Sequence, residues 1–213
     1  MLINSTPTLS LISALVLAGG RGSRMGGADK GLQVFGGDTL AQNALARLRA
    51  QTLPPAEVLI SANRHLDIYA RFGVRVVGDA VPDFAGPLAG FLAGLQACQT
   101  PLLLTVPCDV PRFPLSLCER LAKAMQAQEV DIAMISAPDD DGTGTLRPQP
   151  VFCLLRVALQ DSLKRYMDSG QRQIAAWAAQ QQQVLVPFNT PDDDPRAFAN
   201  ANTLSELRAL DTL

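Results

Sequence analysis

The chain has 213 residues, of which 47% are hydrophobic and 18% charged, and its formal net charge is -2. This length suits a single α/β domain over residues 1–213, with residues 1–10 as a disorder-prone extension, and the composition is too apolar for intrinsic disorder throughout. The charge excludes a general nucleic-acid or anionic-membrane binder, no run reaches the ~20 apolar residues of a membrane span, and MLINSTPTLSLIS lacks the basic start and apolar core of a signal peptide, so the cytoplasm is the expected location.

Short apolar runs alternate with helical patterns along the chain. Residues 11–18 (LISALVLA) predict a strand covered on both faces. Residues 39–51 predict a helix with Leu40, Ala44, Leu45 and Leu48 on one face and Asp38 or Thr39 as its cap. Strands are expected at residues 57–62 (EVLISA) and 74–78 (VRVVG), then a helix over residues 87–98 with Pro87 in its first turn, where a missing N–H costs little. Residues 101–106 (PLLLTV) and 130–136 (VDIAMIS) read as further strands, separated by an amphipathic helix over residues 115–128 that spaces Leu117, Leu121 and Met125 four apart.

The second half is less regular. Residues 148–156 (PQPVFCLLR) predict a strand, with Pro148 and Pro150 favouring an edge position or an irregular start. A helix over residues 157–170 stopped by Gly170, a helix over residues 172–183, a short strand over residues 184–188 and a closing helix over residues 202–210 complete the reading. Such alternation implies an α/β fold, a Rossmann-like three-layer sandwich with a mainly parallel sheet and helices on both faces. Ligands in such sheets gather beyond the carboxyl ends of the strands.

One such end carries unusual chemistry. Eight of the sixteen glycines lie between Gly19 and Gly37, just past the first predicted strand, with Arg21, Arg24 and Lys30 among them. Glycines free backbone N–H groups to approach phosphate oxygens, and the cations add full charge. The other reading is a glycine-rich connector with solvated charges, Lys30 pairing with Asp29 and Arg24 with a surface acid. Neither GxxxxGK[ST] nor GxGxxG is present, which excludes a Walker loop and a dinucleotide fingerprint.

Asp109 follows the run ending at Val106, and Asp79 follows VRVVG; each suits either a nucleotide or metal role at a strand end, or a turn or cap. Asn200 and Asn202 offer amides that both donate and accept, and they are equally ordinary as helix caps. The four cysteines, Cys98, Cys108, Cys118 and Cys153, form no CxxC pair and read as buried free thiols; with His65 the single histidine, a zinc site is excluded. A structural hydrogen bond is the expected role of His65, and core packing that of Trp177.

The stretch LAGGRGSRMGGADKG, residues 17–31, resembles the signature loop of Rossmann-like nucleotidyltransferases, most closely that of the molybdenum cofactor guanylyltransferase family. The resemblance continues in order through ISANRHLDIYARFG, VVGDAVPDFAGPLAGFLAGL, VPCDVPRFP and FANANTLSEL, nearly the whole chain. The first loop alone also fits sugar-phosphate and cytidylyl transferases; ANRH, GPLAG and PCDVP narrow the match. Related cytidylyltransferases read TAAG where this chain has LAGG, which favours guanine.

What the resemblance implies is transfer of GMP from GTP to the terminal phosphate of molybdenum-loaded molybdopterin, with release of pyrophosphate. It implies GTP contacts at Leu17, Ala18, Gly19, Gly20, Lys30, Asn63, Asp79 and Asp109, with Mg²⁺ on Asp109 and catalytic roles for Lys30, Asp109 and Arg24. On the pterin side it implies Gly27, Gly86, Asn200 and Asn202. The GPLAG stretch joins a glycine turn to a proline-started helix, and it reads either as a place where molybdopterin or GTP lies close to backbone at Gly86 and Leu88 or as simple turn and packing chemistry. Implied protein partners are those that insert molybdopterin and molybdoenzyme chaperones. The chain departs from the family at Ser61, where asparagine is frequent, and at Leu204, where proline is frequent. Competing readings are a molybdopterin cytidylyltransferase, a sugar-phosphate nucleotidyltransferase and a nucleotide-binding adaptor without catalysis. The chemistry needs no side-chain nucleophile, because the attacking phosphate oxygen is already ionised; positioning and positive charge carry the reaction.

Overall fold

The computed structural model describes residues 11–18, 29–79, 86–139, 144–201 and 206. The extension at residues 1–10, and the predicted closing helix apart from the helical Glu206, lie outside the described residues.

A seven-stranded sheet forms the middle layer, in the order β5-β4-β1-β6-β8-β7-β9. Its strands are β1 (Ile12–Leu17), β4 (Glu57–Ser61), β5 (Arg75–Val77), β6 (Leu102–Pro107), β7 (Ile132–Pro138), β8 (Leu146–Arg156) and β9 (Gln183–Pro187). β1 runs parallel to β4 on one side and to β6 on the other, and β4 runs parallel to β5. The chain therefore builds outward from β1 to β4 and β5, then returns to place β6 against the other edge of β1. That reversal between β1 and β6 is where an open α/β sheet leaves a crevice for a ligand.

The period of two along β1 divides the core. Ile12, Ala14 and Val16 join the core formed with α1 (Leu40–Arg49) and α4 (Leu117–Gln128), whereas Leu15, Leu59 and Leu103 join the core of α3 (Pro87–Ala97), α5 (Gln160–Asp168) and α6 (Ile174–Ala178). Both faces being covered accounts for the continuous apolar runs. The start of α1 is fixed by a capping box: Thr39 Oγ1 accepts from the Gln42 amide, and Gln42 Oε1 accepts from the Thr39 amide. Pro87 occupies the first turn of α3, as its sequence position requires.

The strand predicted at residues 148–156 forms, with the irregular start expected of its prolines but not at an edge of the sheet. β8 is interior and antiparallel, between β6 and β7. Only Cys153–Arg156 pairs with β6; the half with Pro148 and Pro150 extends past it and pairs with β7 alone, beside a register shift between Met134 and Ser136. The prolines, lacking N–H donors, thus lie where β8 is locally an edge, although the strand as a whole is central. Two further elements carried no periodic signal: the hairpin of β2 (Val34–Phe35) and β3 (Asp38–Thr39), and the five-residue α2 (Leu66–Ala70). Gly36 and Gly37, with φ of 61° and 93°, make the hairpin turn and are not part of a phosphate loop.

Helix α3 packs on β1, β4, β5 and β6. It comes this close because a Cβ on Gly90 would lie 2.6 Å from Leu17 Cδ2 and 2.9 Å from Ser61 Oγ. Gly90→Ala is therefore expected to destabilise the protein by about 1–3 kcal/mol through overpacking. Gly78→Ala, whose Cβ would meet nothing closer than 3.7 Å, serves as the control and should cost less than ~1 kcal/mol. Urea unfolding midpoints of the two variants check this; equal shifts would contradict it.

Candidate functional site

The parallel strands continue their ladder to a common rim. The Cys108 amide donates to Leu17 O at 3.2 Å, the Ala18 amide to Ser61 O at 2.9 Å, and the Ala62 amide to Val77 O at 3.0 Å. One residue or two beyond these bonds stand Asn63, Asp79 and Asp109. The chain that leaves β1 comes back at Asp29, and a 3₁₀ turn over Lys30–Leu32 follows.

Lys30 and Asp109 meet there. Lys30 Nζ donates to Asp109 Oδ2 at 2.5 Å, joining the end of the glycine-rich segment to the end of β6. Their side chains are 24% and 21% exposed, so the pair is shielded from bulk water yet open to a ligand. The alternative pairing of Lys30 with Asp29 is not what forms: Asp29 Oδ1 accepts instead from the Tyr69 hydroxyl and the Gly31 amide. Asp109 also anchors the segment ending at Ala201 through its carbonyl, which accepts from the Ala201 amide at 2.8 Å. This bond brings the exposed Asn200 beside the Asp109 turn.

Asn63 and Asp79 form a second, reciprocal pair. Asn63 Nδ2 donates to Asp79 Oδ2 at 2.7 Å, and the Asp79 amide donates to Asn63 Oδ1 at 2.8 Å. Burial raises the Asp79 carboxyl above its ordinary range, and the Asn63 hydrogen bond opposes that shift. The ends of β4 and β5 are thereby clamped into one surface carrying an amide and a carboxylate.

Other sequence-selected residues take more modest places. Gly86 caps α3 with φ 148° and is exposed, whereas the Leu88 side chain is buried in the core, because helix α3 turns it onto the sheet. Ser61 is buried, its hydroxyl lying close to Gly90 of α3. A small side chain there lets α3 dock. Leu17 is partly buried and Ala18 buried at the end of β1. His65 departs from expectation: it is exposed, its side chain makes no cap hydrogen bond, and its backbone, with φ 51°, starts α2 while its carbonyl accepts from the Ile68 and Tyr69 amides. Trp177 is fully buried among core residues, as expected. Burial, then the neighbouring Asp109 charge, pushes the Cys108 thiol far up, so it is no nucleophile. Gly19, Gly20, Arg24, Gly27 and Asn202 lie outside the described residues.

Among the described residues the rim thus brings together the shielded Lys30 ammonium, the Asp109 carboxylate touching it, and the Asn63–Asp79 pair at the ends of β4 and β5. Such a set can grip a polyanion and orient a polar ring, and it contains no activated side-chain nucleophile. Among the described residues no group of three or more His, Cys, Asp and Glu is placed to hold a metal ion. Asp109 offers a hard carboxylate of the kind that suits Mg²⁺ shared with substrate phosphates and water. Sequence reading missed Tyr69 and the inward role of Asp29. The one available signal was the Asp29-Lys30-Gly31 order, in which an aspartate can bond the amide two residues on.

Comparison with known proteins places this geometry. Residues 14–186 match the family model described as a MobA-like NTP transferase domain. A molybdenum cofactor guanylyltransferase of Albidiferax ferrireducens is 55% identical over 202 residues, 94% of this chain and 95% of that protein. One from an Acidovorax species is 56% identical over 205 residues, 95% of this chain and 96% of that protein. The crystal structure of molybdopterin-guanine dinucleotide biosynthesis protein A from Archaeoglobus fulgidus superposes with a TM-score of 0.75 at 20% identity, covering 94% of this chain and 97% of that one, a likeness of fold.

The raised carboxyl of Asp79 gives a test with a defined sign. Its folded pKa lies above its unfolded value, so the ionised form is penalised by folding, and stability falls as pH rises through that window. Asp79→Asn keeps an acceptor for Asn63 and removes the charge. Its melting temperature should exceed the wild-type value near neutral pH, and the difference should vanish as pH falls below the ordinary carboxyl range. A difference independent of pH would contradict this.

Proposed function

Because the chain belongs to the MobA-like NTP transferase family and stands among the molybdenum cofactor guanylyltransferases, we propose that it transfers GMP from GTP to the terminal phosphate of molybdenum-loaded molybdopterin. Pyrophosphate is the second product. The observation that carries the reading is the Lys30–Asp109 contact at the β1–β6 crevice, in a chain more than half identical to guanylyltransferases along nearly its whole length.

The reaction is an in-line displacement. An oxygen of the acceptor's terminal phosphate attacks the α-phosphorus of GTP, a new P–O bond forms, and the bond to the bridging oxygen of the departing pyrophosphate breaks. No proton has to be removed from the attacking oxygen, so no general base is required. The barrier lies in bringing two polyanions together and in charge gathering on the leaving group. Lys30 meets that charge with an ammonium already fixed in place, and fixed charges in a shielded site avoid the reorganisation that water would require. The Asn63–Asp79 pair faces the nucleoside end. Gly19 and Gly20 supply backbone amides to the triphosphate, Arg24 adds charge for a phosphate of either substrate, and Gly27, Gly86, Asn200 and Asn202 serve the pterin side.

The residues present fit a magnesium ion held by Asp109, and when bound that ion would neutralise phosphate charge. Asp109 then has two tasks: it holds the ammonium of Lys30 in register, and it presents carboxylate oxygen toward the phosphates. Among the described residues no helix is long and apolar enough to cross a membrane, and the reading places the enzyme in the cytoplasm, passing product to proteins that insert molybdopterin and to molybdoenzyme chaperones.

With molybdenum-loaded molybdopterin, pyrophosphate release should be faster with GTP than with CTP. A preference for CTP would turn the assignment to a cytidylyltransferase. Lys30→Ala and Asp109→Asn should each lower kcat/KM for GTP by about 10²–10³-fold with cooperative unfolding retained. Loss of folding in parallel with activity would make Asp109 a structural residue, and unchanged kinetics would remove Lys30 from the site.

A further inference from the structure

Asp29 directly precedes the rim lysine, yet its carboxylate is directed inward. It is 8% exposed, and its Oδ1 accepts from the Gly31 amide at 3.1 Å and from the Tyr69 hydroxyl at 2.7 Å. Tyr69 is fully buried on α2 and meets the ring of Phe72 edge-on at 5.7 Å. Burial, then the Asp29 contact, pushes its hydroxyl well above the ordinary phenol range, so it stays protonated and donates. Gly31 completes the fit. A Cβ there would lie 2.4 Å from Tyr69 Oη, 3.3 Å from Cζ and 3.2 Å from Ala18 Cβ, so the chain can pass between the tyrosine and the end of β1 only without a side chain.

Lys30 stands between these two anchored residues. Its backbone begins the 3₁₀ turn whose cap is Asp29, and its ammonium reaches Asp109. The turn is bonded further by the Leu32 amide to Asp29 O at 3.3 Å and the Gln33 amide to Lys30 O at 3.1 Å. Tyr69, for its part, belongs to the element that follows Asn63 and the end of β4. The two halves of the site are therefore joined under the surface by one buried hydrogen bond, from Tyr69 to Asp29.

We propose that Tyr69, Asp29 and Gly31 form a latch that fixes Lys30 against Asp109 and makes the lysine move as one body with the β4–α2 segment carrying Asn63. Tyr69 and Asp29 are positioning residues, and neither touches substrate. The inference rests on the nucleotidyl-transfer reading for its effect on rate, and on the buried contacts alone for its effect on the turn.

Removing the hydroxyl leaves the buried carboxylate one donor short and loosens the turn. In Tyr69→Phe, kcat for pyrophosphate release from GTP should fall about tenfold while KM for GTP stays within about twofold, since a misplaced ammonium is felt most as charge develops on the leaving group. Hydrogen exchange at the Gly31 amide, read without any substrate, should quicken. Gly31→Ala should lose more than Tyr69→Phe. The double variant Gly31→Ala/Tyr69→Phe should be more active than Gly31→Ala, because phenylalanine has no Oη for the added methyl to strike. Asp29→Asn keeps both acceptor contacts and should stay within about threefold of wild type, whereas Asp29→Ala should lose at least tenfold; this pair decides the matter if Gly31→Ala does not fold. Unchanged Gly31 exchange in Tyr69→Phe, a rate loss carried entirely in KM, or a double variant no better than Gly31→Ala would overturn the latch. A wild-type enzyme releasing no pyrophosphate from GTP would overturn the guanylyl reading instead, and the exchange measurement would still decide the latch.

Discussion

Two charges of opposite sign, delivered from opposite sides of a switch point, organise this molecule. Lys30 comes from the segment after β1 and Asp109 from the end of β6, 79 residues later. A hydrogen bond between charged groups contributes roughly 1.5–3 kcal/mol, and its larger role here is geometric. It spans the crevice between the parallel strands β1 and β6, where the order of strands along the chain reverses, and it sets a cation and a carboxylate at fixed separation. Preorganised charge of this kind is what displacement at phosphorus needs.

The surrounding fold keeps that contact in place by packing from both faces. On one side α3 rests against β1 and β4 through Gly90, with the small Ser61 beneath it. On the other, Tyr69 and Ala18 lie in the same core as α1 and α4. The Ala201 amide adds a third restraint by bonding Asp109 O, so the segment ending at Ala201 meets the same rim. Residues distant in sequence converge there because parallel strands, all pointing one way, release their following loops at one edge.

The site also separates two kinds of polar group by burial. Lys30 and Asp109 keep about a quarter of their side-chain surface exposed, whereas Asp29 is nearly enclosed and satisfied by a hydroxyl and an amide. Neighbouring acids with such different surroundings take different tasks, one toward ligand and one toward scaffold. The same logic holds for three of the four cysteines: burial raises Cys108, Cys118 and Cys153 above the ordinary thiol range and leaves them as packing, whereas Cys98, expected to be buried, is only partly so and its thiol donates to Thr100 O.

Much of this was legible from residue order alone. Apolar runs located β1, β4, β5, β6 and β7, Thr39 and Pro87 marked helix starts, and the LAGG to DKG string with PCD named Lys30 and Asp109. These are local signals: hydrophobic period, cap chemistry and glycine spacing act within a few residues and survive in one dimension. What only the tertiary structure decided is which of those residues meet. Lys30 takes Asp109 and not its neighbour Asp29, β8 inserts antiparallel at the centre despite its prolines, Leu88 turns into the core, and Tyr69 on a five-residue helix bonds Asp29, the cap of the turn that begins at the lysine. Each outcome depends on strand order and on which face of the sheet a helix covers, and these are settled by the burial of the whole chain at once, beyond the reach of any local pattern.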